Sequence, residues 1–352
     1  MKIAHLFSGG VDSSVALALL KKAGHRVVAI YLKIWNENEA QNFGECAWET
    51  DLDFVEKTCE KLKIPLRVFS LQKEYYEKVV AEMIAELAAG RTPNPDIWCN
   101  SRIKFAAAAE KIFAEFPEIE KISTGHYAKI LEKNGTFFLQ SARDRKKDQS
   151  YFLSRLSQKN LSKICFPIGD FEKSEIRKTA EKWNLPAAKR PDSQGICFLG
   201  KFKFRDFVRN YLGEKPGKII EFETGKILGN HAGFWFFTIG QRGGLGLSGG
   251  PFFVVGKNPA KNEIIVSREN PEKIGKKTFE ISEILFPSGE ISDGKYFLKI
   301  RHGPDFLTGK VKFLKKNAAQ ISLDKKIRGL AAGQSAVIFD AEKCVRASGF
   351  IR

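Results

Sequence analysis

Ser8-Gly9-Gly10-Val11-Asp12-Ser13 is a run of residue types that can hold a phosphate. It lies between the apolar Ile3-Ala4-His5-Leu6-Phe7 and the helix-patterned Val15-Ala16-Leu17-Ala18-Leu19-Leu20, an order that predicts strand, glycine turn, helix. Two glycines let the backbone bend until successive N–H groups converge on one concavity. A helix starting at Ser13 or Ser14 adds unpaired N–H groups and the positive end of its dipole. A phosphate would be held there without a lysine, with Asp12 placed to hold Mg²⁺ or orient the phosphates and Ser13 to donate to them. The plainer alternative is a strand-to-helix turn with a serine cap. The Walker pattern G-x-x-x-x-G-K-S/T does not occur.

Three further segments carry reactive side chains. In Asn94-Pro95-Asp96-Ile97-Trp98-Cys99-Asn100, proline-set backbone leads into a helix and can fix what it carries. A thiol such as Cys99 near a helix N-terminus is expected to ionise more easily. Asp96, three residues earlier, is close enough to act as acid or base. In Asp192-Ser193-Gln194-Gly195-Ile196-Cys197-Phe198 a glycine turn would present Cys197 from a loop. Lys147-Asp148-Gln149-Ser150 reads as a polar cluster opening a helix-like stretch. Taken singly, each also reads as an ordinary cap or a buried cysteine.

The elements that must position these residues alternate strand and helix through the first half. Arg26–Leu32 suits a buried parallel strand, and a helix is expected near Thr50–Leu62, then a short strand at Leu66–Phe69. A long helix is expected over Glu74–Ala89 and is broken by Arg91–Asp96 with its two prolines. Another, at about Arg102–Phe113, leads to Lys121–His126. This order predicts an α/β domain with a doubly wound parallel sheet. A hairpin near Tyr127–Ser141 turns at Asn134-Gly135, with helices near Leu156–Ser162 and Lys173–Trp183. Beyond Cys197 strands dominate: Lys218–Phe222, Phe234–Thr238, Phe252–Gly256, Glu263–Ser267, and a series from Phe279 to Ile351 spaced as in a small β-barrel. The expected division is an α/β catalytic domain at 1–205, a small β-rich linker domain at 206–275, and a C-terminal β-barrel at 276–352. Gly244-Leu245-Gly246-Leu247-Ser248-Gly249 matches G-x-G-x-x-G, but Gly250-Pro251 and an apolar strand follow it, so no helix is expected to receive a pyrophosphate.

A chain of 352 residues with 43% apolar and 28% charged residues reads as an ordinary globular protein of two or three domains. No apolar run approaches a membrane span, and the residues before Ser8 are too few for a signal-peptide core, so the cytoplasm is expected. The net charge of +17 points to a polyanion, nucleic acid before membrane, since no amphipathic basic helix stands out. Cysteines at 46, 59, 99, 165, 197 and 344 include no C-x-x-C pair, which favours neither a zinc site nor a disulfide scaffold.

Together the four segments resemble, in order and wording, the tRNA-specific 2-thiouridylases, members of the PP-loop ATP pyrophosphatase superfamily. The matching stretches run from S-G-G-V-D-S-S through G-R-T-P-N-P-D-x-x-C-N, T-G-H-Y-A, K-D-Q-S-Y-F-L and D-S-Q-G-I-C-F to G-Q-R-x-G-L-G and G-Q-S-A-V, nearly the whole chain. The resemblance implies ATP, with Mg²⁺ as its counter-ion, bound by Leu6, Phe7, Ser8, Gly9, Gly10, Val11, Asp12 and Ser13, with Leu32 and Gly125 on the adenine and ribose side. It implies that Asn94, Pro95 and Asp96 touch the target base. Cys99 would be the nucleophile and Cys197 the persulfide carrier, the two forming a transient disulfide. His126, Lys147, Asp148, Gln149, Arg301, His302 and Gln334 would meet tRNA, and a sulfur-relay protein would be a second partner. Three positions depart from the family pattern: Gly243 where a lysine is usual, Ser101 before Arg102, and His302 where tyrosine is common. Two rivals remain. A PP-loop ligase of the argininosuccinate- or GMP-synthetase kind needs no paired cysteines, and a nonenzymatic RNA-binding protein would release no pyrophosphate.

Overall fold

A computed structural model describes residues 1–34, 47–192, 203–269, 275–315, 317–327 and 329–352. The segment carrying Cys197 lies outside them. Four strands open the chain's main sheet: β1 (Lys2–Leu6), β2 (Arg26–Lys33), β3 (Leu66–Ser70) and β4 (Lys121–Thr124). After a hairpin, β5 (Ala128–Lys133) and β6 (Thr136–Ser141), comes the short β7 (Ile164–Cys165). The sheet runs β3-β2-β1-β4-β7 with every pair parallel. The strand order reverses between β1 and β4, and ligands of such sheets bind in the crevice beyond the strand ends at that point. The turn after β1 begins there, and Gly125-His126 follows β4.

The helices are α1 (Val11–Lys22), α2 (Ala47–Leu62), α3 over 72–88, α4 over 95–115, α5 (Gln158–Leu161), α6 (Lys173–Lys182) and α7 (Phe204–Leu212). α1 and α2 cover one sheet face, where Leu17, Leu20, Val55 and Cys59 meet Ile3, Val27 and Ala29. α4 covers the other, where Ile97, Phe105 and Ile112 meet Ala4, Leu6 and Ile30. α4 starts at Pro95, seven residues before the expected Arg102, because proline at the first helical position is an initiator rather than a breaker. Both α3 and α4 contain π-helical turns, at Tyr76–Val80 and Cys99–Ala107. The helix expected at Leu156–Ser162 is one turn, and Lys147–Ser150 lies in turns.

The middle domain pairs β8 (Gly217–Glu221), β9 (Ile227–His231), β10 (Phe253–Asn258) and β11 (Glu263–Ser267) in the order β10-β11-β8-β9. Phe234–Phe236, expected as strand, is a 3₁₀ turn, because Gly233 at φ 149° turns the chain and the Phe234 and Trp235 rings pack edge to face inside. α7 was not expected, although Phe207, Val208 and Tyr211 have helical spacing. The last six strands, β12 (Lys276–Leu285), β13 (Gly294–Lys299), β14 (Leu307–Leu314), β15 (Ala318–Ile327), β16 (Ser335–Phe339) and β17 (Val345–Ile351), close into a barrel.

The three parts share apolar cores. Met83 and Leu87 of α3 pack in one cluster with Phe207, Trp235 and Val254. Val337, Phe339 and Val345 of the barrel pack with Leu139 of the hairpin and Tyr151. Asn134 at φ 51° and Gly135 at φ 74° form the expected hairpin turn. No described helix is long and apolar enough to cross a membrane.

Candidate active site

The turn after β1 is shaped by contacts that only glycine allows. Gly9 has φ 73°, and a Cβ there would stand 2.7 Å from the Asp51 carbonyl oxygen. Its own carbonyl accepts from Arg190 Nη1 at 2.9 Å. Gly10 is the N-cap of α1, in extended backbone and without a side-chain cap bond, so the first helical N–H groups are not consumed by a capping side chain. Ser8 and Ser13 hydroxyls meet at 3.2 Å, and the Ser14 hydroxyl donates to the Gly10 carbonyl at 2.8 Å. Gly125 closes the crevice from β4, where a Cβ would lie 2.6 Å from the Ser13 nitrogen. His5 ties these parts together. Its Nε2 donates to the Ser13 carbonyl at 3.0 Å, so Nδ1 accepts from the Ser123 hydroxyl at 3.1 Å. Burial lowers its pKa to about 4 against the opposing Ser13 bond, which keeps the ring neutral.

Beside this turn the fold assembles charges far apart in sequence. Asp12 Oδ1 accepts from Tyr127 Oη at 2.8 Å and from Lys173 Nζ at 2.7 Å. Burial, and then the Asp12 charge, pushes the Tyr127 phenol up, so it stays a donor. Lys173 also reaches Asp192 at 2.9 Å; Lys147 reaches it at 2.6 Å, and Arg177 pairs with it as well. Partial burial works against ionisation of Asp192, but the Lys147 and Lys173 bonds prevail and hold it below the usual carboxylate range. Arg190 pairs with Asp51 at 2.5 Å. Sequence reasoning missed Lys173, Arg177 and Arg190, since no local pattern signals a contact across 161 residues.

The second segment is a closed helix start. Asn94 caps α4 through its side-chain oxygen on the Ile97 N–H at 3.4 Å, and Pro95 occupies the first helical position. Asp96 is half-buried in the first turn, and Cys99 is 1% exposed among Leu71, Tyr75, Val79 and Trp98. Cys99 therefore stands one turn inside α4 rather than at its end. Leu32, at the end of β2, packs against both this cluster and the one holding Leu6 and Ile97, so both segments lie at one end of the sheet. The barrel grips the loop before Asn94: Thr92 N donates to the Ala332 carbonyl at 2.8 Å, and Gln334 Nε2 donates to the Thr92 carbonyl at 2.8 Å.

The residues expected at tRNA divide by accessibility. Arg301 is exposed and, with Ile239, Gly240, Arg242, Phe253 and Gly329, lines a cavity of about 400 Å³ between the middle domain and the barrel. Lys147 is 39% exposed although paired with Asp192. Asp148 is buried: its carboxylate pairs with Lys299 Nζ at 2.8 Å, each side chain 1% exposed, and accepts from Ala142 N and the Ser150 hydroxyl. That carboxylate braces the barrel against the α/β domain. Gln149 accepts from Tyr127 N at 2.9 Å. His126 is bonded to Thr124 Oγ1 at 2.7 Å, and burial, aided by Lys104, lowers its pKa. His302 stacks on Phe152 at 4.8 Å, with its Nε2 on the Asp148 carbonyl at 3.1 Å. Gln334 is spent on the Thr92 loop. Of the three departures, His302 is the ring stacked on Phe152, Gly243 has open space around it, and the Ser101 hydroxyl donates to the Ile97 carbonyl while the neighbouring Arg102 pairs with Glu82 over the Trp98 ring. Cys59 and Cys344 are buried thiols pushed up to about 11, first by burial.

Fold and turn define a PP-loop α/β protein that carries a β-rich middle domain and a closed barrel. Family models match all three parts: a tRNA methyl transferase HUP domain at residues 1–201, a tRNA methyl transferase PRC-barrel domain at 205–268, and an aminomethyltransferase beta-barrel domain at 276–351. A tRNA-specific 2-thiouridylase MnmA of Parabacteroides distasonis is 44% identical over 348 residues, covering 97% of this chain and 96% of that protein. One from Porphyromonas gingivalis is 42% identical over 352 residues, with the same coverage. The chain belongs to the tRNA-specific 2-thiouridylase family. A solved 4-thiouridine synthetase in complex with RNA and ATP is more distant, at 16% identity and TM-score 0.34 over 54% of this chain and 42% of that one.

Proposed function

We propose that the chain is an ATP-dependent tRNA-uridine 2-sulfurtransferase acting in the cytoplasm on the wobble uridine. The observation that carries this is the meeting, at one end of the sheet, of an open anion-binding turn and a rigid helix start bearing Asp96 and Cys99, in a chain aligned end to end with 2-thiouridylases. The methyl-transfer wording of the family models fits the site less well, because two separate cysteine motifs suit sulfur chemistry.

Oxide is a poor leaving group, so the uridine O2 first attacks the α-phosphorus of ATP. A P–O bond forms and pyrophosphate departs, its charge met by the N–H groups of the turn and α1. Mg²⁺ accompanies ATP. Among described residues no group of three His, Cys, Asp or Glu side chains forms a metal cage. Among the described residues both donors on Asp12 meet Oδ1, which leaves the other carboxylate oxygen to offer and suits an ion held mainly by phosphates and water. The terminal sulfur of a Cys197 persulfide then attacks C2 and AMP leaves. Cys99 thiolate attacks the Cys197 sulfur, forming a Cys99–Cys197 disulfide and expelling 2-thiouridine. The sulfane sulfur is reduced as two thiols are oxidised; two equivalents of an external thiol then reduce the Cys99–Cys197 disulfide and leave as their own disulfide, and the relay protein reloads Cys197 with sulfane sulfur.

Mass spectrometry of tRNA nucleosides from cells lacking the gene tests the reading: 2-thiouridine disappears, and its persistence in cells with no second copy overturns it. Pyrophosphate release that depends on tRNA separates the enzyme from a pure RNA binder. Loss of thiolation in Cys99→Ser and Cys197→Ser separates it from a ligase.

A further inference from the structure

We propose that Lys173 is the cation that holds the outer phosphates of ATP and the departing pyrophosphate, an assignment that rests on reading Ser8–Ser13 as the ATP site. The turn itself contains no lysine, and a helix end supplies only about half a charge against the several carried by a triphosphate. The fold brings the missing charge from α6. Lys173 Nζ stands 2.7 Å from Asp12 Oδ1 and 2.9 Å from Asp192 Oδ1, with its side chain 14% exposed. Asp12 is the second residue of α1, so the ammonium it holds stands beside the N–H groups that face an incoming phosphate.

The electrostatics argue against a simple brace. Asp192 already has Lys147 and Arg177, and around the turn Lys147, Lys173, Arg177 and Arg190 face the carboxylates of Asp12, Asp51 and Asp192. With Asp144, whose carboxylate accepts from Lys173 N at 3.0 Å, these charges balance, and Asp192 stays paired by Lys147 and Arg177 when Lys173 turns to a ligand. An ammonium has three donors, and the two carboxylates engage two of them. Among the described residues no other acceptor engages the third, which is left for a phosphate oxygen. A cation anchored by two carboxylates is also pre-oriented, which lowers the entropy lost when the ligand arrives.

The test measures binding of ATP, AMP and inorganic pyrophosphate to the full chain without tRNA. Lys173→Met and the milder Lys173→Gln are expected to weaken ATP and pyrophosphate by about 10- to 100-fold, the range for a charge-assisted bond, and AMP by less than about threefold. Lys173→Arg should stay within about threefold of wild type. Asp192→Asn, which releases Lys173 from one carboxylate, should keep or tighten ATP binding. The AMP affinity of each preparation reports that it is folded. Equal losses for AMP and ATP, or an Asp192→Asn loss as large as that of Lys173→Met, would show that the lysine only braces the fold and would overturn the proposal. Wild-type protein that binds no ATP overturns the reading of the turn itself, and with it the role of Lys173.

Discussion

Two helix starts sit at the same end of the main sheet and are finished in opposite ways. At α1 the N-cap is Gly10, which brings no side chain to the first N–H groups, and the hydroxyls nearby belong to Ser8 and Ser13. At α4 the Asn94 side chain accepts one of those N–H groups and Pro95 removes another. The first end is left open to an anion. The second is closed on itself and holds Asp96 and Cys99 still. The cap decides which use a helix end can have, because the dipole is common to both.

The sharpest way to break the contrast is to shut the open end. Gly125→Ala places a methyl 2.6 Å from the Ser13 nitrogen, so the start of α1 has to move. Pyrophosphate release with tRNA is expected to fall at least about 100-fold, since ångström-scale misplacement costs that much. Near-normal release would show that the position of α1 does not matter. At the closed end, Cys99→Ser should still adenylate tRNA yet release no 2-thiouridine in a single turnover without added thiol, where the wild type completes one, and an external thiol should partly restore it. Full activity without thiol would remove Cys99 from the chemistry.

A pH titration probes the open end, where the His5 ring ties β1 to the start of α1 and to β4. His5 is neutral in the fold, with its pKa lowered by burial to about 4 from 6.5. The unfolded chain takes the proton first, so its contribution to stability is complete above pH 6.5 and disappears as pH falls toward 4, about 3 kcal/mol in all. His126, His231 and His302 shift the same way, chiefly through burial, and steepen the fall. Chemical unfolding at pH 7.5 and 4.5 reads this, and His5→Asn should flatten the slope; an unchanged slope removes His5 as its source. The smallest effect belongs to Asn94→Ala, which loses the cap of α4 at about 1 kcal/mol, seen as a lower unfolding midpoint. If it leaves the midpoint unchanged while Gly10→Ala lowers it, the two ends have been assigned the wrong way round.

What could be read in advance was what is written locally. The glycine turn, the alternation of β-branched strands and helices, and the Asn134-Gly135 hairpin each signal themselves within a few residues, and all are present. Pro95 misled because one residue type both breaks helices and starts them, and the N-cap in front of it decides which. Phe234–Phe236 has a strand's composition, yet its aromatic rings fill a core where Gly233 has already turned the chain. The cluster of Lys173, Asp12 and Asp192 was out of reach for a different reason. Its members come from two helices and a loop far apart in sequence, and only the folded chain brings them together.

The Lys299–Asp148 pair has a consequence for how this protein can change over generations. Each charge is buried and answered by the other across the join between barrel and α/β domain. Losing one partner strands the other in the interior at about 3–5 kcal/mol, a large share of a domain's margin. A recombination that swapped in a barrel lacking the lysine would therefore leave a weakened catalytic half, even with every residue around the phosphate turn intact. A barrel without the lysine would sit better on a catalytic half that had lost the aspartate as well.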